Sequence, residues 1–138
     1  MIVLIGDQPP VLTTPADLEL SCEEDPSDML ATGTATALDN CDLAPTVTYS
    51  DVTSAGLCPG DSTIERTWTA TDACGNESTS VQTITIVDDI APSILPPADA
   101  ELDCPGDLSL VEAATATDLC DPVPTMTFVD TQLPSDCP

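Results

Sequence analysis

Ile64, Trp68 and Ala70 alternate with Glu65, Thr67 and Thr69 in the middle of the chain, and a period of two marks a strand with one apolar face. Asp72-Ala-Cys-Gly-Asn76 supplies the Gly and Asn of a tight connection. Ser80 to Val87 then resumes with β-branched residues at nearly every position. Asp88-Asp-Ile-Ala-Pro92 ends the pairing, because proline has no N–H to give to a ladder. The pattern predicts the last hairpin of an all-β domain. It also holds the only Trp and the only basic residue, Arg66, which period two places beside Ile64 and Trp68. Its expected partner is a nearby Asp, with its stem over the Trp ring.

The pattern recurs, and the recurrence divides the chain. Pro15-Ala-Asp-Leu-Glu-Leu-Ser-Cys22 returns 82 residues later as Pro97-Ala-Asp-Ala-Glu-Leu-Asp-Cys104. Thr34 to Asp42 returns as Thr115 to Asp121, Pro45-Thr-Val-Thr-Tyr49 as Pro124-Thr-Met-Thr-Phe128, and Cys58-Pro59 as Cys137-Pro138, the last at an offset of 79. A period of about 80 residues built from short strands predicts tandem immunoglobulin-like β-sandwiches and not a solenoid, whose units are shorter. Residues 8–90 form one complete unit, and residues 91–138 form an incomplete second unit that lacks its final hairpin. Ile2-Val-Leu-Ile5 stands in the register of Ile84-Thr-Ile-Val87, so residues 1–7 are the last strand of a preceding or neighbouring unit. Met1 and Val3 replace the Thr83 and Thr85 of the internal copy. Met1, Ile2, Val3, Leu4 and Ile5 are therefore apolar on both faces, as expected of a strand buried on both sides. Two readings of the ends stay open: a window on a longer array, or identical copies joined head to tail by strand donation.

Composition narrows the chemistry. Aromatic residues are 2% of 138, so the core rests on small β-branched side chains supported by cross-links, and Trp68, Tyr49 and Phe128 are expected in it. Seven cysteines with no His and no Cys-x-x-Cys pair favour disulfides over zinc, and hence an extracellular or cell-surface location. The net charge of −24 with one basic residue excludes nucleic acid as a partner and favours bound cations, calcium first. No apolar run is long enough for membrane insertion, and Met1 to Ile5 lacks the length and basic flank of a signal peptide.

Arg66-Thr-Trp-Thr-Ala-Thr-Asp-Ala-Cys-Gly-Asn76, followed by Thr83-Ile-Thr-Ile-Val-Asp-Asp-Ile-Ala-Pro92 and preceded by Thr34-Ala-Thr-Ala-Leu-Asp-Asn-Cys-Asp42, resembles the hyalin-repeat (HYR) type of immunoglobulin-like domain. The resemblance covers Pro10 to Asp89 fully and Pro92 to Pro138 in part. It implies a tandem repeat of a secreted or surface-anchored bacterial protein with a structural or adhesive role. It brings no catalytic residues with it.

Cys22, Cys41, Cys58 and Cys74 allow three pairings. In an immunoglobulin sandwich the Cys41 loop and the Cys74 hairpin share one end, which favours Cys41 with Cys74 and Cys22 with Cys58. The second unit then pairs Cys104 with Cys137 and leaves Cys120 an orphan. Under the other two pairings the orphan is Cys137 or Cys104.

The same topology gathers carboxylates. Asp39, Asn40 and Asp42 fall beside Asp72 and Asn76, with Asp7 incoming, and Asp88 and Asp89 are expected to meet Asp118 and Asp121 at the junction between units. Converging carboxylates suit a calcium ion with six to eight oxygen ligands; individually, such residues also serve as turn caps. Asn76-Glu-Ser78 is the only N-linked sequon, and Asp61-Ser62-Thr63 resembles a bacterial O-glycan acceptor, so Asn76 and Ser62 are the candidate glycan sites. Without His or Lys the common bases are missing, and an enzyme is not expected. The chain is expected to be a structural subunit of an extracellular filament of identical copies. The alternative is a segment of a surface adhesin that binds glycans or a host surface.

Overall fold

The computed structural model describes residues 6–100, 112–129 and 131. Met1–Ile5, Cys104 and Cys137 lie outside them. The chain is mostly β and divides into two units, Met1–Asp89 and Ile90–Pro138.

In the first unit β1 (Val11–Thr13) pairs antiparallel with β3 (Thr36–Leu38). A second sheet has the order β2-β6-β5-β4, built from β2 (Leu18–Ser21), β4 (Thr46–Ala55), β5 (Ser62–Thr71) and β6 (Glu77–Val87). The alternation read from the sequence is the burial pattern of β5, where Ile64, Arg66, Trp68 and Ala70 are buried in turn. The β5–β6 hairpin sets Ile64 opposite Ile84 and Trp68 opposite Ser80. β2 joins the far side of β6 in parallel, with Leu18 opposite Ile84 and Leu20 opposite Ile86. Leu20, Ile64, Ile84 and Ile86 form the core cluster.

Two polar side chains are buried in this apolar face. Gln82 is fully buried; its Nε2 donates to Ala16 O at 3.0 Å and Thr32 O at 2.8 Å, while its Oε1 accepts Trp68 Nε1–H at 3.1 Å. One amide thus ties the loop before β2 and the segment before β3 to the sheet. Arg66, 1% exposed, donates to Asp51 through Nε and Nη2, to Thr32 Oγ1 and to Pro26 O. Its guanidinium lies 4.5 Å from the Tyr49 ring centre and 5.9 Å from that of Trp68. The partner is an Asp, as expected, but on the neighbouring strand β4, directly across from Arg66.

A four-residue helix, α1 (Met29–Thr32), precedes β3 and was not foreseen. Four residues are too few for a helical period to show. Its signals are local: Asp28 caps it by accepting Leu30 N–H, and Gly33 ends it at φ 82°, ψ 173°.

In the second unit β7 (Ser93–Leu95) pairs antiparallel with β8 (Thr115–Thr117), with Ile94 opposite Ala116. The first unit sets Leu12 opposite Ala37 in the equivalent register, so the internal repeat extends to strand pairing. The expected aromatic core is corrected at two positions. Trp68 is 2% exposed, but Tyr49 is 44% and Phe128 86% exposed. Tyr49 lies on the edge strand β4, where it covers Arg66 from outside. Residues 122–129 form no strand. In the first unit the corresponding strand β4 pairs with β5 alone.

Candidate functional site

At one end of the first unit, two loops converge on the chain entering at Gly6. In the loop after β3, Asp39 Oδ1 accepts the N–H groups of Cys41 and Asp42, and Asp42 Oδ1 that of Ala44. Asp42 Oδ2 accepts Ala73 N–H at 2.9 Å and so joins this loop to the β5–β6 turn. Within that turn Asp72 Oδ1 accepts the N–H groups of Cys74 and Asn76. Asn76 Nδ2 donates to Asp72 Oδ2 at 2.7 Å and to Gly6 O at 3.0 Å. These bonds, that of the Asn76 side chain first, hold the Asp72 carboxyl below its usual range against the effect of burial.

The two loops also bring two thiols together. A Cβ on Gly6 would stand 3.3 Å from Cys41 Cβ, 3.5 Å from Cys74 Sγ and 3.9 Å from Cys41 Sγ. Gly6 thus lies against both cysteine side chains, and an added Cβ would be tight only against Cys41. Cys41, Cys58 and Cys74 carry free thiols, and Cys22 is disulfide-bonded. That differs from both expected pairings: Cys41 and Cys74 are near each other but unbonded, and Cys22 is not joined to Cys58. Cys22 continues β2, with its N–H on Val87 O at 2.9 Å, and Cys58 lies in the exposed β4–β5 loop. Strand β6 stands between β2 and β5, so the two chains run roughly 10 Å apart, beyond the usual Cα separation of a disulfide. In the second unit Cys120 is itself disulfide-bonded and not an orphan.

The other expected ligands are distributed as follows. Asp7 contacts Gln8 at 3.4 Å. Asp89 Oδ1 accepts Ser21 Oγ–H at 3.0 Å, and Asp88 donates its N–H to Asp61 Oδ1 at 2.9 Å. In the second unit Asp118 Oδ1 accepts the N–H groups of Cys120 and Asp121, and Asp121 Oδ1 that of Val123. Asp118 and Asp121 thus repeat the backbone bonds of Asp39 and Asp42, bond for bond within the turn. Asp118 Oδ2 is buried without a hydrogen-bond partner. Turn capping therefore accounts for much of the acidic pattern.

Both amide hydrogens of Asn76 are engaged, and N-glycosylation at that nitrogen would break at least one bond that organises the turn. Ser62 is half-buried at the start of β5, laddered on both sides. Gln82 was missed because a single Gln among β-branched residues has no periodic signature; its one signal is its place on the inward face of β6, in step with Ile84 and Ile86. Among the described residues no helix is long and apolar enough to cross a membrane.

Residues 10–86, more than half of the chain, match the family model for an HYR-like domain with 4 cysteines. Cys22, Cys41, Cys58 and Cys74 are the four cysteines of that window. No curated protein and no solved structure matches the chain.

Proposed function

For a chain that belongs to the family of HYR-like domains with four cysteines, we propose the role of structural subunit in an extracellular fibre, joined head to tail by strand complementation. The family is one of extracellular, immunoglobulin-like, non-catalytic repeats. The finer reading rests on one observation, the parallel ladder of β2 and β6. Ile2-Val-Leu-Ile5 copies the β6 side, Ile84-Thr-Ile-Val87, and Ala100-Glu-Leu-Asp103 copies the β2 side, Leu18-Glu-Leu-Ser21. Each side of the ladder thus has a second sequence copy, at opposite ends of the chain. A strand Met1–Ile5 from one copy, laid beside residues 100–103 of the next, repeats a pairing the first unit already uses.

Calcium belongs to this reading as a stiffening ion, with the buried Asp118 Oδ2 as a ligand oxygen. Closure of Cys41 with Cys74 across Gly6 would secure the chain where it enters the first unit. Negative-stain electron microscopy in calcium, with and without residues 1–7, tests the assembly. Filaments from the full chain that vanish on truncation support strand donation, and monomers in both preparations refute it.

One observation favours the second reading, a segment of a surface adhesin. Phe128 and Tyr49 are exposed, and exposed aromatic rings are common in recognition surfaces. Glycan-array binding lost in Phe128→Ser would support it.

A further inference from the structure

We propose that strand β4 pairs edge to edge with β4 of a second copy of this chain, across a twofold axis at Ser50, and so joins two of the four-stranded sheets into one. The contact is lateral, uses only Thr46–Ala55, and is independent of the head-to-tail contact proposed above.

The β4–β5 ladder fixes which backbone groups stand open. Gly56 N–H donates to Asp61 O at 2.9 Å, and the register runs on without a break from Ala55 opposite Ser62 to Thr46 opposite Thr71. Hydrogen-bonded pairs alternate along an antiparallel ladder. Thr46, Thr48, Ser50, Val52 and Ser54 therefore bond to β5, and the N–H and C=O groups of Val47, Tyr49, Asp51, Thr53 and Ala55 point the other way. β4 is the last strand of its sheet, and among the described residues no strand pairs with that side.

Edge strands are ordinarily blunted by Lys, Pro, a bulge or a charge. β4 is ten residues long, with no Lys, Pro or Gly and no bulge. Its one charge, Asp51, is offset by Arg66. The result is a neutral, unblunted edge on a chain of net charge −24.

The edge also matches itself, and that selects a second copy as the occupant. A twofold axis normal to the sheet keeps the inward side chains of both copies on one side, so odd-numbered positions must meet odd-numbered ones. With the axis at Ser50, Val47 falls opposite Thr53 of the second copy, Tyr49 opposite its Asp51, Thr48 opposite its Val52 and Thr46 opposite its Ser54. Every outward N–H from Val47 to Thr53 then meets a carbonyl. Tyr49 and Val52, 44% and 65% exposed, gain cover from cross-strand neighbours. An axis at Asp51 would oppose two carboxylates, which is unfavourable, and an axis at Tyr49 would shorten the overlap.

Amide exchange of the full chain, read by NMR at rising protein concentration, tests the pairing. The even-numbered amides of β4 are protected by β5 throughout. Those of Val47, Tyr49, Asp51 and Thr53 should exchange freely in dilute solution and gain about tenfold protection or more when concentrated. Added salt should strengthen the effect by screening the repulsion between copies. A second measurement uses Ser50→Cys, which sets two thiols across the axis in a pair with Cα atoms about 4.5 Å apart, within disulfide reach. Mild oxidation and peptide mapping should recover a disulfide between the two substituted positions, at a yield at least about tenfold above that of Val52→Cys, which lies opposite Thr48. Odd-numbered amides that stay unprotected at every concentration overturn the proposal. So does protection that is independent of concentration, since the edge would then be covered within one chain. Equal cross-linking of Ser50→Cys and Val52→Cys overturns it as well, since the copies would then meet without register.

Discussion

Arg66 and Asp51 face each other across β5 and β4 and share two parallel hydrogen bonds of 2.9 Å, with Arg66 buried and Asp51 partly open to water. The carboxylate raises the guanidinium's pKa above its ordinary value. The unequal burial makes the two halves of the pair unequal in energy. Asp51→Ala leaves a buried cation without its anion and should cost about 3 kcal/mol. Arg66→Met leaves a carboxylate that water can reach but also removes the bonds to Pro26 O and Thr32 Oγ1, and should cost less than Asp51→Ala, about 1–2 kcal/mol. Urea denaturation of both variants checks the order, and equal losses would contradict it.

Gln82→Leu keeps the volume of the side chain and removes its polar contacts. Trp68 Nε1–H, Ala16 O and Thr32 O lose their partner together. With unpaired buried groups at about 1–3 kcal/mol each, a loss of about 3 kcal/mol or more is expected. A shifted Trp68 fluorescence maximum should accompany it.

Gly33→Ala should be costly and Gly75→Ala mild. At φ 82°, ψ 173° Gly33 occupies backbone space open essentially to glycine alone, and its Cβ would meet Pro15 Cβ at 2.9 Å. The expected loss is about 2–3 kcal/mol. Gly75 also has positive φ, but a Cβ there meets nothing within 4 Å, so about 1 kcal/mol is expected. Thermal melts of the two variants give the comparison.

The Asp72 carboxyl has a folded-state pKa below its ordinary 3.8. The unfolded chain therefore takes up the proton first as pH falls. The stabilisation is fully present well above pH 3.8 and is lost as pH drops through the lower folded value. Easing of the general charge repulsion acts in the opposite direction, so the readout is the difference between wild type and Asp72→Asn. That difference should be constant at neutral pH and shrink below about pH 4. A pH-independent difference would mean that Asp72 acts only through its shape.

Under an oxidising glutathione buffer Cys41 and Cys74 should pair by thiol–disulfide exchange, because both sulfurs lie within 4 Å of one point above Gly6. Peptide mapping under non-reducing conditions should recover the linked fragments. Reduction should then cost about 2–4 kcal/mol. Recovery of Cys74 linked to any other cysteine would reject the pairing.

The sequence by itself determined the strands and their faces, because side-chain direction in a strand follows the local backbone period. Ile64, Trp68, Ala70, Ile84 and Ile86 declare their inward side, and the repeat sets Thr115 to Asp121 in correspondence with Thr34 to Asp42. The convergence of the Cys41 and Cys74 loops followed from topology alone. Tertiary structure decided what fills the inward positions that are not apolar. Arg66 and Gln82 are buried because Asp51, Tyr49, Thr32, Ala16 and Trp68 arrive from distant parts of the chain to satisfy them, and no local pattern records such partners. It also decided the fate of equal sequences. Tyr49 covers Arg66, which β5 brings opposite β4, whereas Phe128 is exposed, because an aromatic side chain takes its place from the strand paired with its own.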